Sequence, residues 1–134
     1  MSELSPRTAP YRHELRVRYG EVDMQRHVFN AHYLAYVDDA LDTWLRSVLG
    51  DYESAGFDMV LKRADITWDG GATFGDVLAI DVAIRRWGTT SFDVAFEGSV
   101  EERPVFTAIV TYVSVGPGTT QPAPVPEAVR SALS

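Results

Sequence analysis

Residues 18–50, RYGEVDMQRHVFNAHYLAYVDDALDTWLRSVLG, constrain the fold more than any other stretch, because one run joins a strand end, a polar turn and a long amphipathic helix. Tyr33, Leu34, Val37, Ala40, Leu41, Trp44, Leu45 and Val48 recur at spacings of three and four and form one broad apolar stripe. Asp38, Asp39, Asp42, Arg46 and Ser47 fall on the other side and are expected to face water. Asn30 stands where its side chain would cap the first free amides, and Gly50 follows the last apolar residue as a left-handed stop. A helix of about twenty residues therefore starts beside a turn that holds Asp23, His27 and Asn30.

The rest of the chain reads as strands. Residues 12–19 alternate, with His13, Leu15, Val17 and Tyr19 on one face, the pattern of a half-buried strand. Val60, Ala64, Ile66 and Trp68 share a face in residues 59–68. After two glycine turns, Val77–Trp87 and Ser91–Val100 each show a period of two and are joined by Gly88-Thr89-Thr90 as a hairpin. Residues 105–115 are apolar on both faces, as in a central strand or one buried between subunits. A loop at 116–126 leads to a short helix opened by Pro126-Glu127. One strand, one long helix and four strands make an α+β fold, an antiparallel sheet with a single helix across one face. At 134 residues the chain is one domain, residues 11–134, after a polar, proline-punctuated lead-in at 1–10.

Composition removes several functions. There is no cysteine, hence no disulfide, thiolate metal site or cysteine nucleophile. A formal charge of −7 argues against a nucleic-acid surface, and no apolar run is long enough to span a bilayer. Residues 1–10 lack the apolar middle of a secretory signal, so a cytoplasmic location is the expectation. The sequence has no G-x-S-x-G, no GK[ST] phosphate loop and no H-E-x-x-H, and His27 and His32 are five apart, off a common helical face. Lys62 with Arg63, and Arg85 with Arg86, are either local anion sites or solvated strand ends.

Asp23 remains, in a polar loop before a helix N-terminus. A helix start offers unpaired N–H groups and partial positive charge, which suit an oxyanion forming at a carbonyl. A nearby carboxylate can attack that carbonyl or take a proton from water. The competing reading is structural, with Asp23 capping its own turn or pairing with Arg18 or Arg26, and with His27 as a hydrogen-bonded structural residue.

The run RYGEVDMQRHVFNAHYLAYVDDA resembles the opening of the 4-hydroxybenzoyl-CoA thioesterase family of hotdog proteins, an aromatic followed by D-x-x-G-H-V-x-N and a helix. RADITWDGGATFGDVLAIDVAIRRWGTTSFDVAF resembles the family's next strands, and PAPVPEAVRSAL its tail. The resemblance implies a hotdog fold, in which about five antiparallel strands wrap one long helix, and hydrolysis of an acyl-CoA or acyl-carrier-protein thioester. It places Asp23 as the catalytic carboxylate and Asn30 where a helix-start amide polarises the carbonyl, with His27 in the same motif. It further implies a homodimer or homotetramer, with sites between subunits and neither cofactor nor metal. Arg26, Tyr33, Lys62, Arg63 and Ser91 are the candidate substrate contacts, and Tyr36 and Trp68 further pocket walls.

Arg26 stands in place of the usual glycine and Phe29 in place of a common asparagine; the expectation is that Arg26 either alters the loop or projects a cation into the site, and that the result is weakened catalysis or a retuned substrate. A non-catalytic acyl-CoA-binding protein on the same fold is one alternative. An enoyl-CoA hydratase is another, although its expected D-x-N-P-x-H is absent.

Overall fold

Strict alternation over residues 77–100 sends Leu78, Ile80 and Val82 to the same side as Phe92, Val94 and Phe96, all fully buried. In the computed structural model, which describes residues 9–134, these side chains floor the concave face of a five-stranded antiparallel sheet. Most of the expected lead-in, residues 1–8, lies outside the described residues. The strands are β1 (Tyr11–Arg16), β2 (Asp58–Trp68), β3 (Val77–Trp87), β4 (Ser91–Val100) and β5 (Arg103–Val115). They are ordered β1-β3-β4-β5-β2, so β4 is the middle strand and the doubly apolar β5 is an interior one. The long helix α1 (His32–Leu49) fills the curl of the sheet, and a short α2 (Glu127–Ala132) closes the chain. This is the hotdog arrangement that the resemblance implies.

Helix α1 buries Tyr33, Tyr36, Val37, Ala40, Leu41, Trp44 and Leu45 in one core with the sheet. Tyr36 replaces Leu34 and Val48 on the expected stripe, since those two are 36% and 47% exposed. The helix ends as expected, with Gly50 at φ 68° and its amide bonded to the Arg46 carbonyl. Its start differs. The residue before the helix is Ala31, already helical in backbone, and no side chain caps it. Asn30 instead accepts the Tyr33 amide through its main-chain oxygen at 3.3 Å, while Phe29 accepts that of His32 at 2.9 Å. A tight turn thus leads straight into the helix, which leaves no extended residue from which a side chain would cap.

Two facing assignments also change. Strand β1 stops at Arg16, and Tyr19, expected on its buried face, lies in a 3₁₀ turn (Tyr19–Glu21), 79% exposed. In β2 the register slips between Leu61 and Arg63, which puts Lys62 in a bulge. Val60 therefore pairs with Val113 on the convex face, while Ala64, Ile66 and Trp68 oppose Val110, Ala108 and Phe106 on the concave one.

The polar side of α1 is tethered as well as wet. Asp38 accepts the Tyr112 hydroxyl at 2.7 Å, Asp39 sits 3.1 Å from the His13 ring nitrogen, and Asp42 accepts the Tyr52 hydroxyl. Burial, and then the Asp38 hydrogen bond, raise the Tyr112 pKa, so the phenol stays a donor. On the convex face Arg12 clamps the buried Asp81 through two bonds of 2.8 and 2.9 Å.

At Gly98 a Cβ would stand 2.1 Å from Phe106 Cε1, because the Phe106 ring lies over β4 where the two residues pair across strands. Gly98→Ala should cost about 2 kcal/mol in urea unfolding, the scale of forced overpacking. A second expectation concerns acid. The Arg86 hydrogen bond lowers the Asp93 pKa against the opposing effect of burial, with Thr111 adding a further bond. A carboxylate with a depressed folded-state pKa stabilises fully above the ordinary value near ~3.9 and loses that contribution as pH falls through the folded value. Asp93→Asn should therefore flatten the drop in stability below about pH 4, read from urea midpoints across pH.

Candidate functional site

Between the 3₁₀ turn and α1 the chain makes a small closed loop whose base is the Val22–Val28 bridge. Four main-chain bonds shape it. Asp23 N donates to His27 O and Arg26 N to Asp23 O, both at 2.9 Å, Phe29 N to Glu21 O at 3.0 Å, and Val28 N to Ala72 O at 2.8 Å. The Thr73 hydroxyl also donates to the Arg26 carbonyl. Residues 71–73, from the glycine-rich turn after β2, thus brace a loop that lies far from them in sequence.

Asp23 is exposed at the head of this loop, and its Oδ1 accepts the Gln25 amide at 2.8 Å, an Asx turn. Its other oxygen makes no hydrogen bond among the described residues. It pairs with neither arginine suggested by the sequence, since Arg18 turns to Glu21 at 3.1 Å and Arg26 makes no ion pair among the described residues. Arg26 keeps the backbone that a glycine would supply, at φ 68°.

Glu21 fixes the loop to the helix. It accepts the Tyr36 hydroxyl at 2.9 Å and the Arg18 amide at 2.8 Å. Burial pushes its pKa up, but the bonds from the Arg18 amide, the Arg18 guanidinium and Tyr36 together hold it below the usual carboxylate value. An ionised Glu21 is thereby secured as an acceptor.

Beside the loop opens a cleft of about 810 Å³ lined by Tyr19, Gly20, Val22, Asp23, Met24, Arg26, Thr73 and Phe74. Tyr19 and Phe74 meet edge to face with centroids 6.0 Å apart, and both are largely exposed. At the helix start, the amides of Asn30 and Ala31 make no backbone hydrogen bond among the described residues. Asn30 and Ala31 follow Asp23 by seven and eight residues, just past the Val28 end of the closed loop and outside the lining of the cleft.

The other candidates are scattered. His27 is exposed and its ring packs on Gly71, where a Cβ would come within 2.9 Å of it. Tyr33 is a core residue, 1% exposed, with edge-on contacts to Tyr36, Trp68 and Phe106 and its hydroxyl accepting the Ala72 amide at 3.4 Å. It does not line the cleft beside Asp23. Trp68 is 40% exposed at the end of β2, and Tyr36 is buried. Lys62 and Arg63 sit at the β2 bulge, opposite the Tyr112 and Thr111 region of β5. Ser91 accepts a bond from Arg86 at 3.2 Å where β4 begins. Strand β3 runs from Val77 beside β1 Arg16 to Trp87 beside that turn, a separation of roughly 30 Å at the usual rise per residue. One protomer does not bring Ser91, Lys62 or Arg63 to Asp23. Among the described residues no three His, Asp or Glu side chains cluster as metal ligands, and no helix is long and apolar enough to cross a membrane.

Residues 17–133 match the family model described as the thioesterase-like superfamily. The chain belongs to this superfamily. A search of curated proteins returned no match. Among solved structures the chain is similar to a thioesterase from Thermus thermophilus crystallised with coenzyme A and Zn, at 24% identity and a TM-score of 0.80, with 93% of this chain and 92% of that one covered. It is also similar to a 1,4-dihydroxy-2-naphthoyl-CoA thioesterase from Synechocystis, at 22% and 0.78 with 92% and 94% covered. A gentisyl-coenzyme A thioesterase aligns at 20% and 0.83, with 92% and 100% covered. At these identities the structures establish the shared fold.

In this thioesterase-like protein, three loop-fixing residues escape sequence reading: Glu21, Tyr36 and Thr73. Glu21 precedes Asp23 by two and carries no motif, Tyr36 reads as pocket wall rather than as an anchor for the loop, and Thr73 is fifty residues downstream of Asp23. Only the fold joins them. Because a non-glycine residue at positive φ is strained by about 1 kcal/mol or more, Arg26→Gly should raise unfolding free energy by roughly that amount in urea titration. An ordinary exposed arginine would show no such gain on replacement by glycine.

Proposed function

We propose that the protein is an acyl-CoA thioesterase of the 4-hydroxybenzoyl-CoA thioesterase type, which hydrolyses a thioester to a free acid and a thiol. The observation that carries this reading is Asp23, which lines an apolar cleft with one carboxylate oxygen free of hydrogen bonds among the described residues, on the loop that leads to the Asn30 and Ala31 amides, also without a backbone partner among the described residues. In this mechanism the acyl carbonyl rests against the Asn30 amide, which donates to its oxygen as negative charge develops. Asp23 either attacks the carbonyl carbon or takes the proton of an attacking water. The tetrahedral centre collapses with loss of the thiolate, a good leaving group whose thiol pKa is near ~8.5 by analogy with free cysteine; the water route yields the free acid directly, and the nucleophile route yields an acyl–Asp23 anhydride that a water then hydrolyses. His27, in contact with the Gly71 turn, shapes the loop beside these groups.

The structural neighbours named for a naphthoyl-CoA, for gentisyl-CoA and for bound coenzyme A support a coenzyme A thioester over other esters. An acyl-carrier-protein thioester shares the same reacting group and the same pantetheine arm. We place the reaction in a domain spanning residues 11–134 and in a homodimer or homotetramer. Strand β2 supports that assembly, since it is a long edge strand with Val60, Leu61 and Trp68 each about 40% exposed, a surface that another strand would cover. Lys62, Arg63 and Ser91, remote from Asp23 within one protomer, enter this reading only as residues contributed by a second subunit.

Asp23→Asn separates the hydrolase from a non-catalytic acyl-CoA binder. Asparagine retains an oxygen for the Gln25 amide, so the turn persists while the charge and basicity go. Thiol release from a panel of acyl-CoA substrates should fall at least ~100-fold, the effect typical of a positioned acid–base group, with circular dichroism unchanged. Near-normal turnover in this variant would remove Asp23 from the mechanism. Ligand-dependent melting of the wild-type protein without any thiol release would assign the site to binding alone.

A further inference from the structure

The feature of the cleft that hydrolysis of a simple acyl thioester leaves unused is Arg26. It stands at φ 68°, a conformation that L residues with a Cβ adopt only under constraint, and such strain clusters at ligand-binding positions. The constraint is visible: the Arg26 amide is bonded to Asp23 O at 2.9 Å, and its carbonyl accepts the Thr73 hydroxyl. The side chain is exposed and makes no hydrogen bond or ion pair among the described residues. The chain has 19 acidic against 12 basic residues, and Arg12, Arg18, Arg46 and Arg86 each hold a carboxylate. Arg26 holds none, and it lines the same cleft as Asp23.

We infer that Arg26 recognises a carboxylate at the far end of the acyl group, so that this site takes acyl thioesters bearing a second, free acid function. The inference rests on the thioesterase reading above and adds the substrate class. Three residues of chain span at most about 10 Å, so the Arg26 backbone lies within that reach of Asp23, and both side chains line one cleft that would hold a short acyl chain between them. The phosphates of coenzyme A are held away from that carbonyl by the whole pantetheine arm. An ionised Asp23 repels a second carboxylate brought into the cleft, and a guanidinium three residues away offsets that repulsion. Its planar fork matches a carboxylate through two parallel hydrogen bonds, which a lysine does not reproduce. Tyr19 and Phe74 supply an apolar wall for the methylene chain between the two ends.

The test compares adipoyl-CoA, whose acyl chain ends in a carboxylate, with hexanoyl-CoA, of equal chain length and ending in a methyl group. The quantity read is the ratio of kcat/KM for the acidic over the neutral thioester, in wild type and in Arg26→Gln, Arg26→Lys and Arg26→Gly. The ratio should fall at least tenfold in Arg26→Gln and equally in Arg26→Gly, with partial recovery in Arg26→Lys. Glycine keeps the loop backbone and glutamine keeps the strain, so agreement between them assigns the effect to the charged head group. A ratio unchanged by all three variants overturns the inference, including the case where both thioesters weaken together, which would put the anion on coenzyme A. A ratio lost in the glutamine variant but kept in the glycine variant also overturns it, because the backbone would then be responsible. If wild type cleaves neither thioester, the hydrolase reading is decided on the wider acyl-CoA panel. Calorimetric Kd values for the same two compounds then give the same ratio and decide the role of Arg26 separately.

Discussion

The seating of α1 in the curl of the sheet is the interaction on which the remaining structure depends. Its apolar stripe, from Tyr33 to Leu45, is covered by the concave faces of β3, β4 and β5, and removal of that surface from water is the main favourable term for a domain of this size. Burial alone does not fix how a helix is rotated or how far it slides. The polar side supplies that precision, because Asp38, Asp39 and Asp42 each meet a partner from a different part of the chain: Tyr112 on β5, His13 on β1 and Tyr52 in the loop before β2. Hydrogen bonds of this kind add only about 1 kcal/mol each, but they are directional where burial is not.

The same helix sets the position of the loop that holds Asp23. Tyr36 projects from α1 to Glu21, Glu21 in turn accepts the amides of Arg18 and Phe29, and the 71–73 turn closes the loop from the other side through Ala72 and Thr73. A loop bounded in this way holds even a non-glycine residue at positive φ, as it does Arg26. The bonds with Asp23 and Thr73 therefore fix the course of the chain at Arg26 and leave its side chain free to project. What projects is a guanidinium that shares with the Asp23 carboxylate a cleft walled by Tyr19 and Phe74.

The secondary structure was legible because each element carries its own period. Val77–Trp87 and Ser91–Val100 alternate cleanly and end at glycine or charged turns, and both strands have the expected bounds. The long helix and its Gly50 stop were equally visible. Errors fell where a local pattern is interrupted by something distant. Val60 reads as sharing a face with Ala64 until pairing with β5 introduces the bulge at Lys62, and Asn30 reads as a cap until the turn through Phe29 makes a side-chain cap unnecessary. Asp23 was singled out by motif and by its place before a helix. The residues that hold its loop were not, since Glu21 has no local signature and Thr73 reaches it only through the tertiary fold.

By itself the sequence determined the succession of strands and helices, the apolar faces that bring them together, and the superfamily, since all of these follow from residue order and from periods that a single element expresses. Tertiary structure decided which side chains became neighbours across the sheet and around the loop. Tyr33 entered the core, the three aspartates of α1 became anchors, and Ser91, Lys62 and Arg63 came to lie far from Asp23 within the protomer. The physical reason is that hydrogen bonds and close packing act over a few ångströms in space, and residues 47 positions apart, such as Arg26 and Thr73, come within that range only once the chain has folded.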